Sequence, residues 1–197
     1  MKIYNKKKVL LSNSSDLRDK DLSGGDFRGI RSRENDFTGC KLVKADFRGV
    51  DLSSSDFRDT DLTGADLTGA DMRWCDFSFS DLTSADFTGA LLTGCNFNSC
   101  TVENVDFTGA KMNGVKMNNL DLHTAKLVRC NLRGANLASS DLSGLDLTGV
   151  ELNGSNLRYA NLTSVIFDDT LLMRCDLTGA NLTGADLTKA DYRDTIL

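Results

Sequence analysis

The chain has 197 residues, 40% apolar side chains, no proline and a formal net charge of −5. That mild acidity argues against a nucleic-acid binder held by phosphate contacts. No apolar run approaches the roughly 18 residues of a membrane span, and none of signal-peptide length follows Met1, so the expectation is a cytoplasmic protein with no membrane partner.

Residues 1–14 carry no repeat and are expected to cover the open end of the first coil, because stacked repeats need a cap. From residue 15 to Leu197 the chain counts in fives as a single repeat domain. Leu17, Leu22, Phe27, Phe37, Leu42 and Phe47 share one phase, and small residues such as Ala45, Ala65, Cys75 and Ala85 hold the phase two places earlier. Sixteen of the 17 glycines fall two places after the large residue. The five slots are thus small, polar, large, polar, turn, as in Ala65-Asp66-Leu67-Thr68-Gly69.

Small and large residues two apart face the same side of an extended chain, and the next two must leave that side together. Each quintet is therefore a very short strand plus a bend, with glycine supplying the positive φ of a type II turn. A period of five smears apolar residues around an α-helix, which excludes one. Between Leu22 and Phe107 the large slot mostly alternates Leu and Phe. That period of ten divides a 20-residue, four-sided coil evenly. Phe37, Phe57, Phe77 and Phe97 should then stack in one column, and Phe27, Phe47, Phe87 and Phe107 in the opposite one.

Along the chain, the first anomaly is polar. Lys20 and Asn35 take small slots and Ser32 a large one, so residues 30–35 are expected to swell outward at a corner. Cys40, Cys75, Cys95, Cys100, Cys130 and Cys175 all occupy the small slot, which reads as buried, inert thiols; Cys75 and Cys95 are the pair to check for proximity. Residues 1–50 carry a net charge of +5, residues 51–110 a net of −9 and residues 111–197 a net of −1. Over three coils of ~14 Å, the acidic belt approaches the charge spacing of duplex DNA, ~1.7 Å per charge. Asp26, Asp46, Asp66, Asp86 and Asp106 should stack on one face, raising some of their pKa values unless hydrogen bonds hold them ionised.

Within the belt, Trp74 and Phe79 take turn slots that are usually glycine, and Leu91 takes an outward polar slot one coil above Asp71. With Asp66, Asp86 and Asp106 they form the candidate partner surface. Tyr159, Leu171 and Met173 are weaker versions farther on. The lone histidine, His123, takes an outward slot with no nucleophile in an equivalent position nearby, and no Cys-x-x-Cys or phosphate-binding glycine loop occurs. The reading is therefore a non-enzyme with no catalytic residue, metal or cofactor. In the last coil Leu187, Tyr192, Ile196 and Leu197 form an apolar surface beside an unpaired strand edge.

The motif Ala65-Asp66-Leu67, repeated as Ala85-Asp86-Phe87, Ala135-Asn136-Leu137, Ala180-Asn181-Leu182 and Ala185-Asp186-Leu187, resembles that of the pentapeptide-repeat proteins. The resemblance covers residues 15–197. It implies an all-β, right-handed quadrilateral β-helix of about nine coils, a rod of ~44 Å. It also implies a homodimer through the C-terminal coil. Two functions follow. One is a protein-interaction scaffold whose partner is a protein of unknown identity. The other, implied by the quinolone-resistance members of the family, is a DNA mimic that engages DNA gyrase or another type II topoisomerase.

Overall fold

The computed structural model describes residues 17–197 and the backbone of two short strands, β1 (Ile3–Tyr4) and β2 (Lys8–Val9). These pair antiparallel, Ile3 opposite Val9 and Tyr4 opposite Lys8. The cap expected over residues 1–14 otherwise lies outside the described residues.

From Leu17 onward every quintet makes one side of a four-sided coil. The outward polar residue forms a parallel bridge with the residue twenty on, as in Asp46 to Asp66 and Asp66 to Asp86. At such a rung the Asp66 N–H donates to the Ala45 carbonyl at 2.9 Å, and the Leu67 N–H to the Asp86 carbonyl at 2.7 Å. The corner closes with the Ala65 N–H donating to the Leu62 carbonyl at 2.9 Å, while Gly64 holds φ +64°, the type II signature. One coil therefore spends nearly all its backbone groups on itself and its two neighbours. That leaves no use for proline, which lacks the donor.

The interior is filled as the period requires. Small and large residues from Leu17 to Leu177 are mostly buried in one continuous core. Phe37, Phe57, Phe77 and Phe97 stack with centroids 4.7, 5.1 and 5.1 Å apart, and Phe27 on Phe47 and Phe87 on Phe107 at 4.2 and 5.3 Å. The two columns meet edge to face across the interior, as Phe47 does with Phe57 at 6.1 Å and 84°. Offset and edge contacts of this kind are the favoured aromatic geometries.

Polar residues in the small slot are satisfied by one recurring bond. Ser80 Oγ donates to the Phe57 carbonyl (2.6 Å), Ser140 Oγ to Met117 (2.6 Å) and Thr170 Oγ1 to Leu147 (2.7 Å), each carbonyl lying 23 residues earlier. The thiols copy this: Cys75 Sγ points to the Leu52 carbonyl and Cys95 Sγ to Met72. All six cysteines are free, and burial pushes the Cys75 and Cys130 thiols up to about 12.

Residues 30–35 do not swell outward. Arg31 keeps its bridge to Asp51 and Asp36 its bridge to Asp56, so the register holds. The polar side chains satisfy one another instead. Ser32 Oγ donates to Asn35 Oδ1 (3.3 Å), Asn35 Nδ2 donates to the Ser32 carbonyl, and the Asn35 N–H turns to Ser55 Oγ (3.0 Å). A paired Ser–Asn is cheaper than the ladder bonds a bulge would break.

Two rungs are missing. Among the described residues, every outward position from Asp21 to Asp176 bridges to the residue twenty on, except Thr101 to Asp121 and Lys126 to Asp146. Each gap comes immediately after a leucine in the small slot, Leu120 and Leu145, where Ala, Ser, Cys, Val or Thr otherwise stands from Cys40 on.

Candidate functional site

The surface is built by the same arithmetic. One coil carries Asp61, Asp66, Asp71 and Asp76, one on each of the four faces. Each such carboxylate accepts the N–H two residues on at the corner: Thr68 to Asp66 at 3.1 Å, Thr88 to Asp86 at 2.8 Å, Thr108 to Asp106 at 2.9 Å. The aspartates recur because this turn uses them. They are stacked as expected on the Asp66 face, from Asp26 through Asp106.

Stacking does not drive these carboxylates to protonate where a shift is resolved. The Arg48 guanidinium holds the Asp46 carboxyl below its ordinary value. At Asp106 partial burial pushes upward, but hydrogen bonds from Thr108 and the Lys126 ammonium outweigh it, and the net shift is downward. Arginines two residues after an aspartate fold back onto it: Arg28, Arg48, Arg58 and Arg73 reach Asp26, Asp46, Asp56 and Asp71 at 2.5–2.9 Å. Arg33 reaches Asp51 at 2.9 Å, from the coil below. Exposed pairs of this kind stabilise little, but they cancel local charge. The belt is therefore a sleeve around all four faces, with ion pairs on three of them: Arg33 and Arg73 on the Asp71 face, Arg58 on the Asp56 face, and Arg48 and Lys126 on the Asp66 face. Asp59, Asp61, Asp76, Asp81, Asp86 and Glu103 form no ion pair among the described residues, and four of them, Asp61, Asp81, Asp86 and Glu103, border one corner between the Asp61 and Asp66 faces.

Trp74 and Phe79 are each 65% exposed and sit at successive corners with φ +64° and +65°. They bracket the Asp76 face. The Asp66–Asp86–Asp106 column lies on the opposite face, so the candidate partner residues do not form one patch. Leu91 bridges to Asp71 on the face adjoining Trp74 and is half-buried. Trp74 is also partly structural. Its ring covers Gly94, one coil on, so closely that a Cβ at Gly94 would overlap Cε3 and Cζ3 and stand 2.9 Å from Cδ2. Tyr159 lies over Gly179 in the same way, with Arg158 stacked 5.5 Å from its ring centroid. An aromatic at one corner followed by glycine twenty residues later is the sequence signal for this packing.

Other predicted positions fall as follows. His123 is exposed, and its Nδ1 pairs with the Asp121 carboxylate, which raises the imidazole pKa. Tyr192, Ile196 and Leu197 are exposed in the last coil, and Leu187 is half-buried. Sequence reasoning missed a cleft of about 800 Å³ lined by Arg133, Asn153, Met173, Arg174 and Arg193, on the same corner as Trp74 but higher up the rod. Arg133 pairs with Glu151 at 3.1 Å and Arg193 with Asp191 at 2.6 Å. Among the described residues no group of three or more His, Cys, Asp or Glu is placed to hold a metal ion, and no helix is long and apolar enough to cross a membrane.

The repeat that builds this surface matches the pentapeptide repeat region over residues 30–107 and 80–162, and an eight-copy array of pentapeptide repeats over residues 155–191. The chain belongs to the pentapeptide-repeat family. Similar solved structures include HetL, a pentapeptide-repeat protein involved in heterocyst differentiation regulation in the cyanobacterium Nostoc. It is 27% identical, covering 89% of this chain and 84% of HetL, with a TM-score of 0.49. A pentapeptide-repeat protein from the thylakoid lumen of Arabidopsis thaliana is 38% identical over 49% of this chain and 71% of its own, with a TM-score of 0.41. QnrB1, a plasmid-mediated fluoroquinolone resistance protein, is 19% identical over 91% and 89%, with a TM-score of 0.46. Comparison with curated proteins gives no match.

Proposed function

We propose that this pentapeptide-repeat protein is a non-enzymatic interaction scaffold. In this reading it is a right-handed rod of about nine coils (one coil per ~4.8 Å) that works in the cytoplasm without a cofactor, with residues 1–14 covering its first coil. The carrying observation is the pair Trp74 and Phe79, both 65% exposed at positive φ. A bulky side chain in that conformation is strained, and the Gly94 contact that offsets this at Trp74 still leaves about two thirds of the residue exposed. Retention of two such residues around one face fits a contact with a protein partner, since exposed aromatics are common anchors of binding energy. The test is quantitative capture from lysate by the wild-type chain and by a Trp74→Gly/Phe79→Gly variant. Loss of a captured protein in the variant supports the reading, and identical captured sets sink it.

A second reading is favoured by the acidic corner formed by Asp61, Asp81, Asp86 and Glu103. A DNA mimic that binds DNA gyrase or another type II topoisomerase would present uncompensated carboxylates along one line. Ion pairs from Arg33, Arg48, Arg58, Arg73 and Lys126 on three faces leave that corner as the largest group of unpaired belt carboxylates. Supercoiling by gyrase, with and without a fluoroquinolone, decides: neither inhibition nor protection at micromolar protein ends this reading. Self-association through Leu187, Tyr192, Ile196 and Leu197 is proposed alongside either function. Charged residues at Tyr192 and Leu197 should then halve the mass seen by light scattering, and an unchanged mass counts against the dimer.

A further inference from the structure

We infer that the rod contains a built-in joint between residues 99 and 147, where two oversized side chains hold successive coils apart and let the two halves open independently. The cause is local. A small-slot residue sits where the chain leaves a corner and joins the coil below. Leucine there fits inside, Leu120 and Leu145 being 4% and 6% exposed, only by displacing the backbone that follows it.

The displaced backbone is Asp121 in one case and Asp146 in the other. The Asp121 N–H makes no bond to the Cys100 carbonyl, nor the Val102 N–H to the Asp121 carbonyl, although the equivalent bonds are made at the neighbouring rungs. Nearby, the Asn104 N–H reaches the coil above through the Thr124 hydroxyl (3.0 Å) rather than through the backbone carbonyl of His123. The bonds from Asp146 to Ala125 and from Leu127 to Asp146 are missing likewise. Directly around both gaps the ladder is whole: Asp81 bridges Thr101, Asp121 bridges Asp141, Asp106 bridges Lys126, and Asp146 bridges Ile166.

The gaps lie on adjacent faces and on opposite sides of one segment. Residues 121–127 are detached from the coil below at Asp121 and from the coil above at Lys126. The lower gap opens as a cleft of about 370 Å³ lined by Thr101, Glu103, Asp121 and His123. The cleft also touches Cys100 and Val102, but its polar side chains and its opening to solvent let water reach the unpaired N–H and C=O groups. The phenylalanine columns also stop at Phe107, and Met112, Met117, Leu122 and Leu127 continue the large slot. Stability in a solenoid is close to a sum of neighbour interfaces, so weakening one step divides the molecule there into two cooperative units. The joint separates the acidic sleeve from the arginine-lined cleft and lets their relative orientation change, whichever partner the rod binds.

Hydrogen exchange read by mass spectrometry on the full chain tests this. In the wild type, amides of residues 99–104, 118–127 and 143–147 should exchange at least about tenfold faster than their counterparts two coils below. The Leu120→Ala/Leu145→Ala variant should let the rungs close and slow exchange in those segments. The reciprocal variant, Ala65→Leu, should create a new fast-exchanging step around residues 45–47 and 66–67 and nowhere else. Equal protection along the wild-type rod would overturn the inference. So would a folded Ala65→Leu variant with unchanged local exchange. The wild-type comparison stands even if a variant fails to fold.

Discussion

Alanine at Gly94 should cost more than alanine at Gly89, and the excess should vanish when Trp74 is removed. Both glycines sit at positive φ, +72° and +66°, so both substitutions carry the same left-handed strain of ~1–2 kcal/mol, offset by ~0.4–1 kcal/mol from a less flexible unfolded chain. At Gly89 a Cβ meets nothing within 4 Å, which makes that variant the measure of strain alone. At Gly94 the Cβ takes the space of the indole ring, and Trp74 must lift off. With Trp74 65% exposed, about a third of a side chain that can bury ~250 Å² is covered, or ~85 Å². At ~25 cal/mol per Å² its loss costs up to ~2 kcal/mol. Urea unfolding of Trp74→Gly, Gly94→Ala, Gly89→Ala and each glycine variant combined with Trp74→Gly gives the coupling directly, expected at ~1–2 kcal/mol for position 94 and near zero for position 89. The chain has one tryptophan, so its fluorescence reports the same event as a red shift in Gly94→Ala. Equal costs at the two glycines, or an excess at Gly94 that survives loss of Trp74, would refute the packing described.

Three further outcomes are expected. Phe57→Ala leaves a gap between Phe37 and Phe77, stacked at 4.7 and 5.1 Å, and should lower stability by ~3–5 kcal/mol in urea titrations. Hydrogen bonds from Thr178 and then Arg158 lower the Asp176 carboxyl to about 2, and Asp46, Asp51, Asp56, Asp106 and Asp141 are also lowered. A depressed folded pKa means that this stabilisation is present above ~4 and lost as pH falls through the folded values, so the melting temperature should drop between about pH 4 and 2. The sign is opposite for His123, whose pKa is raised by its bond to Asp121: its contribution is full below ~6.5 and lost as pH rises through the folded value. Proton NMR of this single imidazole should give a pKa above that of a free histidine, falling toward the ordinary value in Asp121→Asn.

How much was legible can be judged residue by residue. The stacking of Phe37, Phe57 and Phe77 could be read from a period of ten in the large slot, because side chains twenty apart have no choice but to meet in a four-sided coil. The inert thiols were legible for the same reason. The swelling expected at residues 30–35 did not follow, since a serine and an asparagine three apart can satisfy each other, and slot statistics do not record such pairing. Grouping Trp74 and Phe79 with Asp66, Asp86 and Asp106 overlooked that the eight to thirteen residues from Asp66 to the two aromatics carry the chain past one or two corners. Closeness in sequence is not closeness on a rod that turns every five residues.

What the amino-acid order determined unaided is the interior: which side chains point inward, their register and their neighbours twenty residues away, because each backbone N–H and C=O has one partner in a ladder of fixed period. The three-dimensional packing decided the rest. In a one-dimensional reading Leu120 and Leu145 are ordinary apolar residues at apolar positions. Only against the backbone of the next coil does their extra volume become a missing rung, and only across the gap between coils does Trp74 find the bare surface of Gly94.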